Sequence, residues 1–156
     1  MHAICTAKEV LIIQPDITTI ISCILHDVPE EVGVPIAEID AIFGPEVASI
    51  LQGIMSLGKM KYRGRDDTID KMQKTFFAMI EDVRTIFVKF ADRIHNLRTL
   101  SYHEDITRAD RVALESLHIY APIASRLGVY ELKELLEDLS FKQLYPDEHL
   151  RITGQL

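Results

Sequence analysis

The stretch DITTIISCILHDVPEE, residues 16–31, sets the strongest limit on the fold. Its apolar residues Ile17, Ile20, Ile21, Ile24, Leu25 and Val28 recur at steps of three and four. That spacing gathers them on one side of a helix, but would scatter them over both faces of a strand. The β-branched side chains favour extended backbone taken singly, so it is the period that decides for helix. Asp16 stands where an N-cap belongs, and Pro29 ends or kinks the helix because it lacks an N–H and crowds the preceding turn. His26 and Asp27 therefore sit at the end of an apolar helix, with Glu30 and Glu31 just past the proline. A solvated helix end looks like this, and so does a metal site with an acid–base group beside it.

The rest of the chain is punctuated in the same way. An apolar segment, 3–13, stops before Pro15. Pro35 opens a short helix over 35–43, and Gly44-Pro45 separates it from another that runs to about Leu57. A polar loop, 58–67, precedes helices at 68–81 and 83–100. A further helix over about 110–127 carries Pro122 as a kink and Gly128 as its end, and the last spans 130–143. No alternating strand pattern or internal repeat appears. The expectation is one all-α domain over residues 1–156, of which 47% are hydrophobic, enough for a proper core.

Charge and cysteine content narrow the function. The net charge of −7 disfavours non-specific nucleic-acid binding, so a phosphate-bearing ligand requires a metal or a local basic patch. Lys59, Lys61, Arg63 and Arg65 form such a patch within the polar loop, fit for a diphosphate or simply solvated. Cys5 and Cys23 make no CxxC motif and read as small buried hydrophobes in a reducing cytoplasm. The most apolar region, 10–25, is broken by Gln14-Pro15-Asp16, so no membrane span is expected, and no signal peptide is visible.

The second chemical clue is TIFVKFADRIHNLRTL, residues 85–100. Asp92, His95, Asn96 and Thr99 share one stripe of this otherwise apolar helix, facing either water or an internal pocket. Asp92 joins His26, Asp27 and the upstream His2 to make two imidazoles and two carboxylates. Mixed nitrogen and oxygen donors of this kind suit Mn²⁺, Fe²⁺ or Zn²⁺ better than Ca²⁺.

These residues carry a resemblance. His2, the HD of ILHDVPEEV and the Asp of FVKFADRIHNLRTL look like the H…HD…D set of HD-domain phosphohydrolases. The chain also resembles the hydrolase domain of the RelA/SpoT family through FGPEVASILQG and YAPIASRLGVYELKELLEDLSF, and the 24 residues from His2 to His26 match the family spacing. The resemblance implies an all-α HD-domain helical bundle around a central metal site. It implies Mn²⁺ on His2, His26, Asp27 and Asp92, with Glu30 handling the attacking water and Glu31 assisting. Asn96 and Thr99 match positions that contact the nucleotide. The implied reaction removes the 3′-diphosphate of the guanine nucleotides ppGpp and pppGpp. Alternatives are a catalytically weak regulatory or nucleotide-binding domain, and an HD phosphohydrolase for another nucleotide.

The chain also departs from the family pattern. Glu31 stands where the family has aspartate, Ser125 where it has histidine, and TIDKMQK replaces a QAENxRK-like stretch. The Arg-Lys pair that precedes the first histidine is missing. The expectation is therefore a hydrolase domain without the family's first helices and without a synthetase domain.

Overall fold

The computed structural model describes residues 1–58, 81–100 and 106–154, which form helices and their connecting turns, with no strand among them. The chain divides into two compact units, Met1–Asp92 and Arg93–Leu156. Most of the expected loop 58–67 and helix 68–81 lies outside the described residues.

In the first unit, α1 (His2–Glu9) tightens into a 3₁₀ turn at Val10–Ile13. Gln14 then adopts a left-handed conformation, φ +50°, as the following proline disfavours the right-handed helical region. Asp16 caps α2 (Ile17–Leu25) as expected: the Thr19 amide donates to its Oδ1 at 2.8 Å and the Thr19 hydroxyl at 2.6 Å. α2 ends earlier than its apolar period implied, and a separate π turn forms at Val28–Val32 around the buried Pro29. The proline supplies no N–H, so the backbone re-forms its bonding beyond it, where the Glu31 amide donates to the Asp27 carbonyl at 2.8 Å. α3 (Ile36–Phe43) and α4 (Pro45–Gly58) are split by Gly44 at φ +88° and ψ 167°, a conformation reserved for glycine.

α1 packs on α2, and both α2 and α3 pack on α4. Val10, Cys23, Ile39, Ile50 and Leu51 are buried in one cluster with Val88 and Ala91 of α5 (Arg84–Thr99). Each large side chain buried there contributes about 1.5–3 kcal/mol. α5 comes so close to α4 that a methyl group at Gly53 would lie 2.9 Å from the Thr85 hydroxyl.

The starts of three helices are tied together at Arg84. Its guanidinium binds Asp82 on both carboxylate oxygens, Asp16 at 2.8 Å and Glu46 at 3.0 Å. A charge-assisted network of this kind fixes where α5 begins relative to α2 and α4. It thereby sets the height of Asp92 relative to the end of α2.

The second unit contains α6 (Ile106–Glu115), a π turn at Ser116–Tyr120, α7 (Ala121–Arg126), α8 (Tyr130–Leu144) and α9 (Pro146–Thr153). The kink expected at Pro122 takes the form of that π turn, which widens the backbone just where the proline ring would strike a carbonyl of the preceding turn. Gly128, at φ +74°, ends α7 as expected. Its amide donates to Ser125 and that of Val129 to Ala124, the paired bonds of a glycine C-cap. α6 and α7 pack on α8, burying Ala113, Ile119, Ile123, Leu132 and Leu136. Arg93 pairs with Glu115 at 3.0 Å and stacks 4.7 Å above the Tyr120 ring centre. α9 is an addition to the expected helices, although its Pro146, Asp147-Glu148 and Arg151 are ordinary start and end signals. No helix among the described residues is long and apolar enough to cross a membrane.

Candidate metal centre

Three helical segments of the first unit bring His2, His26, Asp27 and Asp92 together. His2 opens α1, His26 and Asp27 follow α2, and Asp92 stands on α5. The two histidine Nε2 atoms are 3.2 Å apart. Oδ1 of Asp92 lies 3.4 Å from His2 Nε2 and 3.6 Å from His26 Nε2. Asp27 presents Oδ2 to His2 at 3.5 Å and Oδ1 to His26 at 3.1 Å. His2, His26 and Asp92 each offer a donor atom within 4.8 Å of the others.

The tautomer of His26 follows from its backbone contact. Nδ1 lies 2.7 Å from the Cys23 carbonyl. A carbonyl only accepts, so Nδ1 carries a proton; Nε2 donates to Asp92 while the ring is protonated and offers its lone pair to the cluster once that second proton leaves. His2 is braced by Thr6, whose hydroxyl donates to the His2 carbonyl at 3.2 Å and lies 3.5 Å from its Nε2. The His26 side chain is fully buried, while that of Asp27 is 50% exposed and forms the open side of the site.

This donor set fits a divalent ion. Donor atoms of His2, His26 and Asp92 lie within 4.8 Å of one another, with Asp27 beside both histidines, and such groups repel one another unless a proton or cation lies between them. Metal–ligand bonds of about 2.0–2.2 Å put neighbouring ligands roughly 3 Å apart. The separations of 3.2–3.6 Å among His2, His26 and Asp92 match ligand edges around a common centre. Paired imidazoles with carboxylates favour a transition metal or Mn²⁺ over Ca²⁺.

The electrostatics agree. Burial opposes charge on His26, but the hydrogen bond and charge of Asp92, with the charge of Asp27, outweigh it and raise its pKa above the ordinary 6.5. Burial also opposes the Asp92 carboxylate. Hydrogen bonds from His2 and His26 and the Lys89 charge overcome this and hold it well below the usual carboxylate range. Burial, helped by the charge of Asp92, pushes the Cys23 thiol up to about 12, which leaves it an unreactive core group.

A pH dependence follows. A raised histidine pKa stabilises the fold below the unfolded value, and that contribution is lost as pH rises through the folded value. Asp92 contributes above its unfolded value and loses that contribution only in strong acid. The melting temperature of the metal-free protein is therefore expected to fall as pH climbs from about 6.5 upward. With Mn²⁺ it should rise instead, because an ion then takes the Nε2 lone pair that the proton vacates. Thermal melts with and without Mn²⁺ across this range measure both trends.

The other expected site residues are placed differently. Glu30 and Glu31 lie on the π turn directly after the cluster, both exposed, and the structure does not draw their carboxylates into the cluster. Asn96 and Thr99 follow Asp92 on α5 by about one and two turns. The Thr99 hydroxyl donates back to the carbonyls of His95 and Asn96, both at 3.1 Å. Lys59, Lys61 and Arg63 lie outside the described residues. Sequence reasoning passed over Lys89, whose Nζ lies 3.5 Å from Asp92 Oδ2. Its position three residues before Asp92 was the available signal, since such pairs meet on a helix surface.

Comparison with known proteins supplies relatives for this chain. Residues 1–130 match the model of the HD domain. The chain is 38% identical over 151 residues to guanosine-3′,5′-bis(diphosphate) 3′-pyrophosphohydrolase of Vibrio cholerae, covering 96% of this chain and 21% of that protein. It is 37% identical over 150 residues to the bifunctional (p)ppGpp synthase/hydrolase SpoT of Escherichia coli, covering 95% and 21%. A guanosine-3′,5′-bis(diphosphate) 3′-pyrophosphohydrolase of Borreliella burgdorferi is 40% identical over 160 residues, covering 100% and 23%. The chain thus spans about a fifth of the length of these relatives.

Proposed function

This chain belongs to the HD-domain family, and on that premise we propose that it is a Mn²⁺-dependent hydrolase of the 3′-diphosphate of ppGpp and pppGpp. The observation that carries the reading is the meeting of two imidazoles and the Asp92 carboxylate within 4.8 Å of one another, with Asp27 3.1–3.5 Å from the histidines. The names of the relatives supply the substrate class. In this reading His2, His26, Asp27 and Asp92 hold the ion. When bound, the ion supplies Lewis acidity, which acidifies a water and offsets phosphate charge.

The remaining work falls to the chain. Glu30 takes a proton from the attacking water, and its exposure on the turn beside Asp27 leaves it open to solvent and substrate. Glu31 supports Glu30 from the same turn. Asn96 and Thr99 contact the nucleotide, and Lys59, Lys61 and Arg63 neutralise its diphosphates. Water attacks the phosphorus attached to the ribose 3′ oxygen, and the bond from that phosphorus to the 3′ oxygen breaks. The 3′ oxygen leaves with a proton, so the products are pyrophosphate and GDP or GTP. The reaction takes place in the cytoplasm.

The test is product analysis. With Mn²⁺, ppGpp should yield pyrophosphate and GDP in equal amounts, and a chelator should stop the reaction. Orthophosphate in place of pyrophosphate would move the cleavage to a terminal phosphate. Bound Mn²⁺ and bound ppGpp without turnover would favour a regulatory domain.

A further inference from the structure

We propose that Lys89 is a positioning residue of the metal centre, holding Oδ2 of Asp92 so that only Oδ1 faces the ion. The inference rests on the metal-site reading above. It begins with the way the two oxygens of Asp92 are divided. Oδ1 faces both histidines, 3.4 Å from His2 and 3.6 Å from His26, whereas Oδ2 faces Nζ of Lys89 at 3.5 Å.

Both partners are confined. The side chains of Lys89 and Asp92 are 15% and 14% exposed, so neither moves freely in solvent. They stand one turn apart on α5, and Val88, Phe90 and Ala91 between and beside them are buried. Packing of those three residues fixes the rotation of the helix, and with it the pairing.

The chemical consequence concerns how many positions Asp92 takes at the ion. A carboxylate with both oxygens available binds a divalent cation through one or both. With Lys89 paired to the second oxygen at 3.5 Å, Asp92 would take a single position on a bound ion and leave one more for water or a substrate oxygen. Partners of this kind outside the ligand set orient the ligands themselves. The Lys89 charge also repels a cation while it orders the carboxylate. These effects oppose each other in affinity, so affinity alone does not test the role, and the number of waters retained by the ion does.

The experiment uses the full chain loaded with Mn²⁺ and no nucleotide. Pulsed EPR in labelled water, or water-proton relaxation, counts the water molecules on the ion. Lys89→Met is expected to hold one fewer water than wild type, because Asp92 then closes on the ion with both oxygens. Lys89→Arg keeps the charge and should hold the wild-type number. Lys89→Gln is too short to span the same gap and should behave as the methionine variant, which serves if that variant folds poorly. Equal water counts in wild type and in the folded Lys89→Met or Lys89→Gln protein would overturn the proposal. The metal-site reading fails by a separate result: Mn²⁺ binding that survives Asp92→Ala.

Discussion

Asp92→Ala is expected to weaken Mn²⁺ binding by more than about 100-fold, since even partners outside the ligand set are worth about 10–100-fold. Asp92 supplies the cluster's one α5 donor and the oxygen that faces both histidines. The helix itself should persist, because Phe90, Ala91 and Ile94 around the position are buried and alanine has the highest helix propensity. Calorimetric titration with Mn²⁺ gives the affinity, and circular dichroism checks that helical content is kept. A variant that keeps its helices and binds Mn²⁺ within about tenfold of wild type would remove Asp92 from the ligand set.

Much of this arrangement was legible in the sequence, and the illegible parts share a physical cause. The isoleucine period of α2, the Asp16 cap and the glycine stops at 44 and 128 are local signals, and each acts as local chemistry requires. The polar stripe that carries Asp92 was visible too, but its pattern left water and an internal pocket open, and it was the family resemblance that joined Asp92 to His26-Asp27. The early end of α2 was hidden. The apolar period runs on through Val28, but Pro29 forces the backbone into a new turn. The Cys23 carbonyl that fixes the His26 tautomer was hidden too, since a backbone acceptor leaves no mark on the sequence. So was the split of the Asp92 oxygens between Lys89 and the histidines, which depends on side-chain rotation more than on spacing.

The glutamate that follows the cluster gives the second large effect. Glu30→Gln is expected to lower turnover of ppGpp by about 10²–10⁴-fold, roughly 3–5 kcal/mol of barrier. Glutamine keeps the size of the side chain and can still orient a water, but it accepts no proton at neutral pH. Mn²⁺ affinity should stay near wild type, because the structure does not bring Glu30 into the donor cluster. The fold should hold as well, since Glu30 is exposed on its turn and surface changes of this kind usually cost less than about 0.5 kcal/mol. That separation makes the variant informative: catalysis falls while metal and fold remain. Pyrophosphate release under saturating Mn²⁺, compared between wild type and Glu30→Gln, measures the effect. Equal rates would mean that Glu30 is a solvated turn charge and that the proton goes elsewhere. Glu31→Gln then becomes the decisive second variant, because Glu31 is exposed on the same π turn.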